Sequence, residues 1–148
     1  MSENWTRRTF FGAVGAVPAG LAQGPKAAGA GQANTVKIIG VSCSPRKDRT
    51  TAAALRVCLE AAKATGPDVE VELIDLGGLK INGDLAAGIP LAPGERDDFP
   101  QIEARLRAPN VGGIIVGTPV YFSNMSSLCK AFLDRWMAFR GTFALRNK

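Results

Sequence analysis

Three short apolar runs alternate along the chain with segments of helical periodicity, and this alternation limits the fold more than any other feature. We predict strands over 36–42, 69–76 and 111–116, and helices over 51–65, 95–107 and 125–140. Short strand–helix–strand connections imply a parallel sheet with right-handed crossovers. The simplest arrangement is an α/β sandwich of three layers with strand order 2-1-3. The loops after the first and third strands would then meet at one end of the sheet, where such folds bind ligands.

The first 30 residues differ in composition from the rest of the chain. Arg7 and Arg8 stand in the sequence TRRTFF, and a mildly apolar run rich in Gly and Ala follows, then small residues. This order is typical of a twin-arginine signal peptide. We therefore expect 1–30 to be a signal peptide and linker, 35–148 to form the domain, and the protein to be exported to the periplasm or the extracellular space. The apolar run is too short and too rich in Gly to predict stable insertion in a membrane.

The residue types present exclude several kinds of chemistry. The chain has no histidine, which removes His-based acid–base catalysis and His metal ligands. Three cysteines, at 43, 58 and 129, are too few and too irregular for a disulfide framework or a zinc site, so we expect no metal. The net charge of +5 is spread without a basic run, so no nucleic-acid partner is predicted. No side chain stands out as a catalytic acid or base.

The loop between the first strand and the first helix is rich in hydroxyl groups and cations. It reads SCSPRKDRTT over 42–51. A helix N-terminus presents free N–H groups and a partial positive charge, so we predict that this loop binds a phosphate group. The competing interpretation is an ordinary capped loop with Asp48 or Thr50 as the N-cap. The candidate phosphate ligands are Ser42, Ser44, Arg46, Lys47, Arg49, Thr50 and Thr51.

The turn after the third strand has a more specific sequence. It reads GTPVYFSNM over 117–125 and leads into KAFLDR over 130–135. This pattern resembles the flavin-contacting loop of the flavodoxin-like NAD(P)H-dependent flavin and quinone reductases, a family that includes FMN reductases and iron–sulfur flavoproteins. By resemblance, the isoalloxazine of FMN would lie along Thr118, Pro119, Val120, Tyr121, Phe122 and Asn124. The alternative is a plain turn with Ser123 or Asn124 as the helix cap.

The first loop also resembles this family, in the segment that holds the FMN phosphate. Ser44, Arg46 and Thr51 match the family pattern. Three other positions depart from it: Cys43 stands where Gly is usual, Arg49 where Ser is usual, and Thr50 where Asn is usual. In the second loop, Ser123 replaces the usual Gly.

The resemblance covers 36–148 and implies a flavodoxin-like fold that binds FMN. NAD(P)H would be the electron donor, and a quinone, a free flavin or a similar small molecule the acceptor. Iron–sulfur members carry a compact cysteine cluster after the second strand. The corresponding stretch here, 79–85, has no cysteine, so no iron–sulfur cluster is expected. Family members continue beyond the third strand, so we expect a C-terminally truncated chain that lacks strands 4 and 5, and a full-length protein that is a homo-oligomer.

Two other functions remain open from the sequence. A flavodoxin-type electron carrier would bind the flavin without turning over a substrate. A low-molecular-weight cysteine phosphatase is the other alternative, because five residues separate Cys43 from Arg49 and Thr50 follows. That chemistry would need a reactive thiolate at Cys43 and an acidic Asp. Pro45, where the phosphatase loop favours Gly, and the absence of an Asp-Pro pair count against it.

Overall fold

The computed structural model describes residues 35–142 and 144–146, so the predicted signal peptide at 1–30 lies outside the described residues. Strands β1 (Val36–Ser42), β2 (Val69–Asp75) and β3 (Val111–Gly117) form a parallel sheet in the order β2-β1-β3. The predicted α/β class and strand order 2-1-3 are confirmed, and the sheet is the core of a flavodoxin-like fold. Ser42 pairs with Asp75 and with Gly117, so the three strands end level with one another.

Helix α1 (Thr50–Lys63) packs on one face of the sheet and buries Ala52, Leu55 and Leu59. Two glycines of the sheet allow this close approach. A Cβ atom on Gly40 would lie 3.0 Å from Leu59 Cδ1, and one on Gly117 would lie 3.0 Å from Leu55 Cδ1. The small residue at the end of β3 therefore brings the start of α1 next to the loop that follows β3.

The other face of the sheet carries the main core. Helices α2 (Phe99–Leu106) and α3 (Ser127–Asp134) pack there, and a 3-10 turn (Arg135–Phe139) follows α3. The rings of Phe99, Phe132, Trp136 and Phe139 contact one another with centroids 5.7–6.3 Å apart. Burial of these large apolar surfaces is the main stabilising contribution on this face. The buried core residues are Ile39, Val41, Cys43, Ile74, Leu76, Phe99, Ile102, Leu106, Val111, Cys129, Phe132 and Phe139.

The predicted helix over 95–107 was wrong at its N-terminal end, because α2 begins only at Phe99. The carboxylates of Asp97 and Asp98 accept hydrogen bonds from backbone N–H groups of the preceding loop. Asp side chains that bind backbone groups in this way compete with helix formation. Pro100 stands in the first turn of α2, where its missing N–H has no partner to lose.

The predicted helix over 125–140 was also too long. Strands β4 (Val120–Tyr121) and β5 (Asn124–Met125) form an antiparallel hairpin ahead of α3. Phe122 and Ser123 connect them with φ angles of 47° and 62°. Two-residue hairpin turns need this left-handed conformation and normally use Asn or Gly for it, so Phe122 and Ser123 do not predict a turn. None of the helices in the described residues is long and apolar enough to cross a membrane.

Candidate functional site

A cavity of ≈ 500 Å³ lies between the start of α1 and the end of β3. Both loops that the sequence singles out contribute to it, as expected for the switch point of a sheet ordered 2-1-3. Seven of the predicted site residues line this cavity: Ser44, Arg46, Arg49, Thr50, Thr51, Thr118 and Pro119.

The first loop, residues 43–49, is held in shape by hydrogen bonds to its own residues and to the end of β2. Ser44 Oγ accepts a bond from Arg46 N (3.2 Å), which forms a tight turn. Asp75 Oδ2 accepts a bond from Asp48 N (2.7 Å), and Asp75 Oδ1 accepts one from Gly77 N (3.1 Å). Asp48 has a φ of 56°, a conformation that Asp tolerates better than most residues. These hydrogen bonds therefore restrain the conformation of the loop.

The electrostatics of this loop favour an anion. Arg49 is the N-cap of α1 but makes no side-chain cap bond, and the first turn of α1 has no acidic residue. The predicted alternative, with Asp48 or Thr50 as the cap, is therefore wrong. Asp48 pairs with Arg56 instead. No ion pair involves Arg46, Lys47 or Arg49 in the part of the chain that the structure describes. The first turn of α1, with its free N–H groups, and the unpaired cations Arg46 and Arg49 thus line the cavity.

Ser126 connects the two loops, and sequence reasoning missed it. Its side chain is buried, its Oγ donates to Cys43 O (2.7 Å), and Cys129 N donates to that Oγ (3.1 Å). Ser126 N donates to Thr118 Oγ1 (3.1 Å). Ser126 is therefore the N-cap of α3, which makes the predicted cap at Ser123 or Asn124 wrong. A serine directly before an apolar helical period was the available signal.

Four predicted flavin-contact residues lie outside the cavity, on the β4–β5 hairpin that directly follows Pro119. Val120, Tyr121 and Phe122 are exposed, with the Phe122 ring fully in solvent. Asn124 Oδ1 accepts a bond from Met125 N (2.8 Å). The hairpin thus presents an apolar and aromatic surface next to Pro119, which lines the cavity.

Two predicted phosphate ligands are also absent from the cavity lining. Ser42 is fully buried in β1, and its Oγ has no hydrogen-bond partner among the described residues. Lys47 is exposed, and its backbone lies against Gly77. The apolar side of the cavity was not predicted: Ala54, Leu55 and Cys58 of α1 and Ile115, Val116 and Gly117 of β3. The i, i+4 spacing of 54 and 58, and of 51 and 55, was the signal on α1.

The surroundings of Cys43 do not suit a catalytic nucleophile. Its side chain is fully buried in the core, and its Sγ lies 4.0 Å from Val41 O. Burial, together with the neighbouring Cys129 thiol, raises the pKa of Cys43 well above its ordinary value. A phosphatase nucleophile needs the opposite, a thiolate stabilised at neutral pH. The phosphatase alternative therefore lacks its central requirement.

A sheet ordered β2-β1-β3, with a helix N-terminus rich in hydroxyls and arginines at its switch point, defines a flavodoxin-like α/β protein whose cavity lining favours an anion. The chain belongs to the NADPH-dependent FMN reductase family, whose model matches residues 36–148. It is thus a member of a family of flavoprotein oxidoreductases. The donor set of the cavity fits the phosphate of FMN, because Ser44, Arg46, Arg49, Thr50 and Thr51 offer hydroxyl, guanidinium and backbone N–H donors at one end.

The relatives are flavoproteins. The iron–sulfur flavoprotein MJ1083 of Methanocaldococcus jannaschii is 34% identical over 116 residues, which cover 76% of this chain and 58% of the relative. The iron–sulfur flavoprotein of Methanosarcina thermophila is 33% identical over 120 residues, with 76% and 59% covered. An apo NADH:FMN oxidoreductase (EMOB) structure is 28% identical with a TM-score of 0.49, covering 68% of this chain and 49% of that one. The chain spans just over half the length of the curated relatives it matches.

Proposed function

We propose that this protein is an FMN-dependent NAD(P)H oxidoreductase that reduces a quinone, a free flavin or a similar small molecule. The observation that carries the proposal is the uncapped, positively charged start of α1, which shares one cavity with the end of β3. Bound FMN would supply the redox chemistry by accepting two electrons from NAD(P)H and passing them to the acceptor. The protein would bind, orient and shield the cofactor, which agrees with a site that has no evident acid or base.

The polar end of the cavity would hold the phosphate of FMN. Arg46 and Arg49 have guanidinium groups that suit bidentate binding of phosphate oxygens. Thr50 and Thr51 add hydroxyl groups beside the free N–H groups of the first turn of α1. Ser44 shapes the loop through its bonds to the Arg46 backbone. Together these groups would neutralise the phosphate dianion without a metal ion.

The apolar part of the site would accommodate the flavin ring. Thr118 and Pro119 line the cavity at the end of β3, and the hairpin adds Val120, Tyr121 and Phe122 as exposed apolar surface. Backbone N–H groups in this turn are suitable donors for ring nitrogen and oxygen atoms. Aromatic side chains gain most from contact with another flat ring, so Tyr121 and Phe122 are the candidate ring contacts.

Comparison of FMN with riboflavin tests the phosphate site. We expect the 148-residue chain to bind FMN more tightly than riboflavin, which lacks the phosphate. Arg46→Ala and Arg49→Ala should each weaken FMN binding about 10-fold or more, because each removes a charge-assisted hydrogen bond. Neither substitution should change riboflavin binding. The matched control is Arg140→Ala, an exposed arginine outside the cavity. Equal affinity of the wild type for both flavins would contradict the proposed phosphate site.

Turnover separates the reductase from an electron carrier. We expect the flavin-loaded protein to oxidise NADPH or NADH continuously when a quinone or free FMN is supplied in excess. A protein that binds FMN but turns over neither nucleotide would instead favour the flavodoxin-type carrier. Rates measured with NADPH and NADH in parallel would identify the preferred donor.

The cellular location and assembly are separate proposals. We propose export by the twin-arginine route on the strength of the TRRTFF sequence and the small, apolar run that follows it. Replacement of Arg7 and Arg8 by lysine should then retain the protein in the cytoplasm, as read by cell fractionation. We further propose that the protein is a homo-oligomer, which sedimentation would test. No nucleic-acid partner is proposed.

A further inference from the structure

The relatives at hand are named for an iron–sulfur cluster, but the thiols of this chain are not placed to bind one. Iron–sulfur clusters are generally held by four cysteine thiolates. The 148 residues contain three cysteines, and Cys58 is exposed on α1 whereas Cys43 and Cys129 are buried in the core. In the described residues, no three His, Cys, Asp or Glu side chains gather where they could bind a metal ion. The residues present therefore do not fit a cluster.

By the family resemblance, iron–sulfur members are expected to carry their cysteines between β2 and α2, in the segment that is residues 76–98 here. In this chain, hydrogen bonds between protein groups join the two ends of that segment. Asp98 N donates to Lys80 O (2.7 Å), and Lys80 N donates in return to Asp98 Oδ2 (2.8 Å). Arg96 Nε and Nη2 donate to the two oxygens of the same carboxylate, each at 2.7 Å. The Arg96 and Lys80 donors hold the pKa of Asp98 below its usual range, as expected for a carboxylate with these partners.

A second carboxylate closes the middle of the segment. Asp97 Oδ1 accepts a bond from Asn82 N (3.0 Å), and Asp97 Oδ2 accepts one from Arg135 Nη1 (2.8 Å). Arg135 Nη1 also donates to Asn82 O (3.0 Å), and the guanidinium lies over the Phe99 ring at 4.5 Å. The Asp97 side chain is 5% exposed and that of Arg135 is 12% exposed. The Asp97–Arg135 pair is thus largely buried, and both side chains form hydrogen bonds to Asn82 as well as to each other.

We infer that residues 76–98 form a metal-independent module, closed by the bonds of the Asp98 carboxylate to Lys80 N and of the Asp97 carboxylate to Asn82 N and Arg135, with Arg96 holding the Asp98 carboxylate in place. The module would then fold and keep its shape without iron. If the proposed function holds, FMN is the redox group that residues 1–148 carry, and electrons would leave the protein from the flavin itself. This last clause rests on the proposed function, whereas the metal-independent closure does not.

Reconstitution with iron and sulfide tests the inference directly. The purified chain would be incubated anaerobically with ferrous iron, sulfide and a thiol reductant, desalted, and assayed for iron and acid-labile sulfide. We expect both to stay far below one per chain. Stoichiometric iron and sulfide would overturn the inference. FMN binding measured on the same sample keeps the two proposals distinguishable, because a chain can fail to bind FMN and still be free of a cluster, or the reverse.

Proteolysis after Glu95 tests what closes the module. An endoproteinase specific for Glu should cleave this bond slowly in the wild type, and a chelator should not change the rate. Asp97→Asn leaves Arg135 without its charge partner, so cleavage should accelerate about 100-fold, because proteolysis follows the population of the open segment. The matched control is Asp84→Asn, an exposed carboxylate of the same segment, which should change the rate less than about 2-fold.

A milder variant covers the case in which Asp97→Asn does not fold. Arg96→Gln removes the bidentate partner of Asp98. Because residue 96 adjoins the cleaved bond, each rate is divided by that of an unfolded peptide with the same substitution, and the resulting ratio should rise about 5-fold. Wild-type rates in both Asp97→Asn and Arg96→Gln, or a wild-type rate that rises on chelation, would contradict closure by these carboxylates.

Discussion

The two loops of the candidate site are built in opposite ways. The first loop (residues 43–49) is tied to β2 through Asp75 and to α3 through Ser126, and its base is buried. The β4–β5 hairpin (residues 120–125) is exposed and has two residues in the left-handed conformation. Under the proposed function, phosphate donors must be fixed in position, whereas a flavin ring must remain accessible to donor and acceptor molecules. The first loop is held by protein contacts and the hairpin is open to solvent, which agrees with these two needs.

Gly77→Ala should disturb the first loop more than any other substitution considered below. A Cβ atom at Gly77 would lie 2.5 Å from Lys47 Cα and 2.6 Å from Lys47 N, so the first loop would have to move. We expect a loss of about 2–3 kcal/mol in the free energy of unfolding, as for other overpacked sites. FMN binding should weaken as well. Denaturant titration and FMN titration would measure both, and Gly141→Ala, where a Cβ meets nothing within 4 Å, is the matched control.

Ser126→Ala should separate the two loops from each other. The change leaves Cys43 O and Cys129 N without their partner and removes the cap of α3. We expect a loss of about 2 kcal/mol in unfolding free energy, from a buried hydrogen bond and a helix cap. The exposed neighbour Ser127→Ala should lie within about 0.5 kcal/mol of wild type. Equal effects in the two variants would show that Ser126 does not couple the loops.

Ser123→Gly tests whether the β4–β5 hairpin carries backbone strain at residue 123. Glycine adopts a φ of 62° without the steric penalty of a Cβ atom, so we expect a gain of about 0.5–1 kcal/mol in unfolding free energy. Ser123→Ala keeps the Cβ atom and serves as the control. If thermal melting shows the same midpoint for both variants, the turn is not strained at Ser123.

Phe122→Ala should have the smallest effect on stability. Its ring is fully exposed, so we expect a change within about 0.5 kcal/mol, whereas the buried Phe132→Ala should lose about 3–5 kcal/mol. Under the proposed function, Phe122→Ala should weaken FMN and riboflavin binding by the same factor, because it affects the ring and not the phosphate. A stability loss comparable to that of Phe132→Ala would mean that the hairpin is packed in solution.

Local pattern was enough to predict most of the fold and about half of the candidate site. Each strand of the parallel sheet could be predicted because a buried parallel strand is a short apolar run between turn residues. Ser44, Arg46, Arg49, Thr50 and Thr51 could be predicted because a strand followed directly by a helix places their loop at the end of the sheet. The start of α2 could not, because Asp97 and Asp98 bind groups some 15 or more residues away.

The parallel α/β sheet, its order and the two loops at its end follow from the amino-acid pattern, because periodicity and strand–helix alternation are local properties. Three features became visible only in the folded chain: Arg49 leaves α1 uncapped, Ser126 ties the loops together, and Arg135 closes the segment after β2. These features depend on contacts between residues far apart in the chain. The partners of a polar side chain are set by the distances that folding creates, and residue type alone does not specify them.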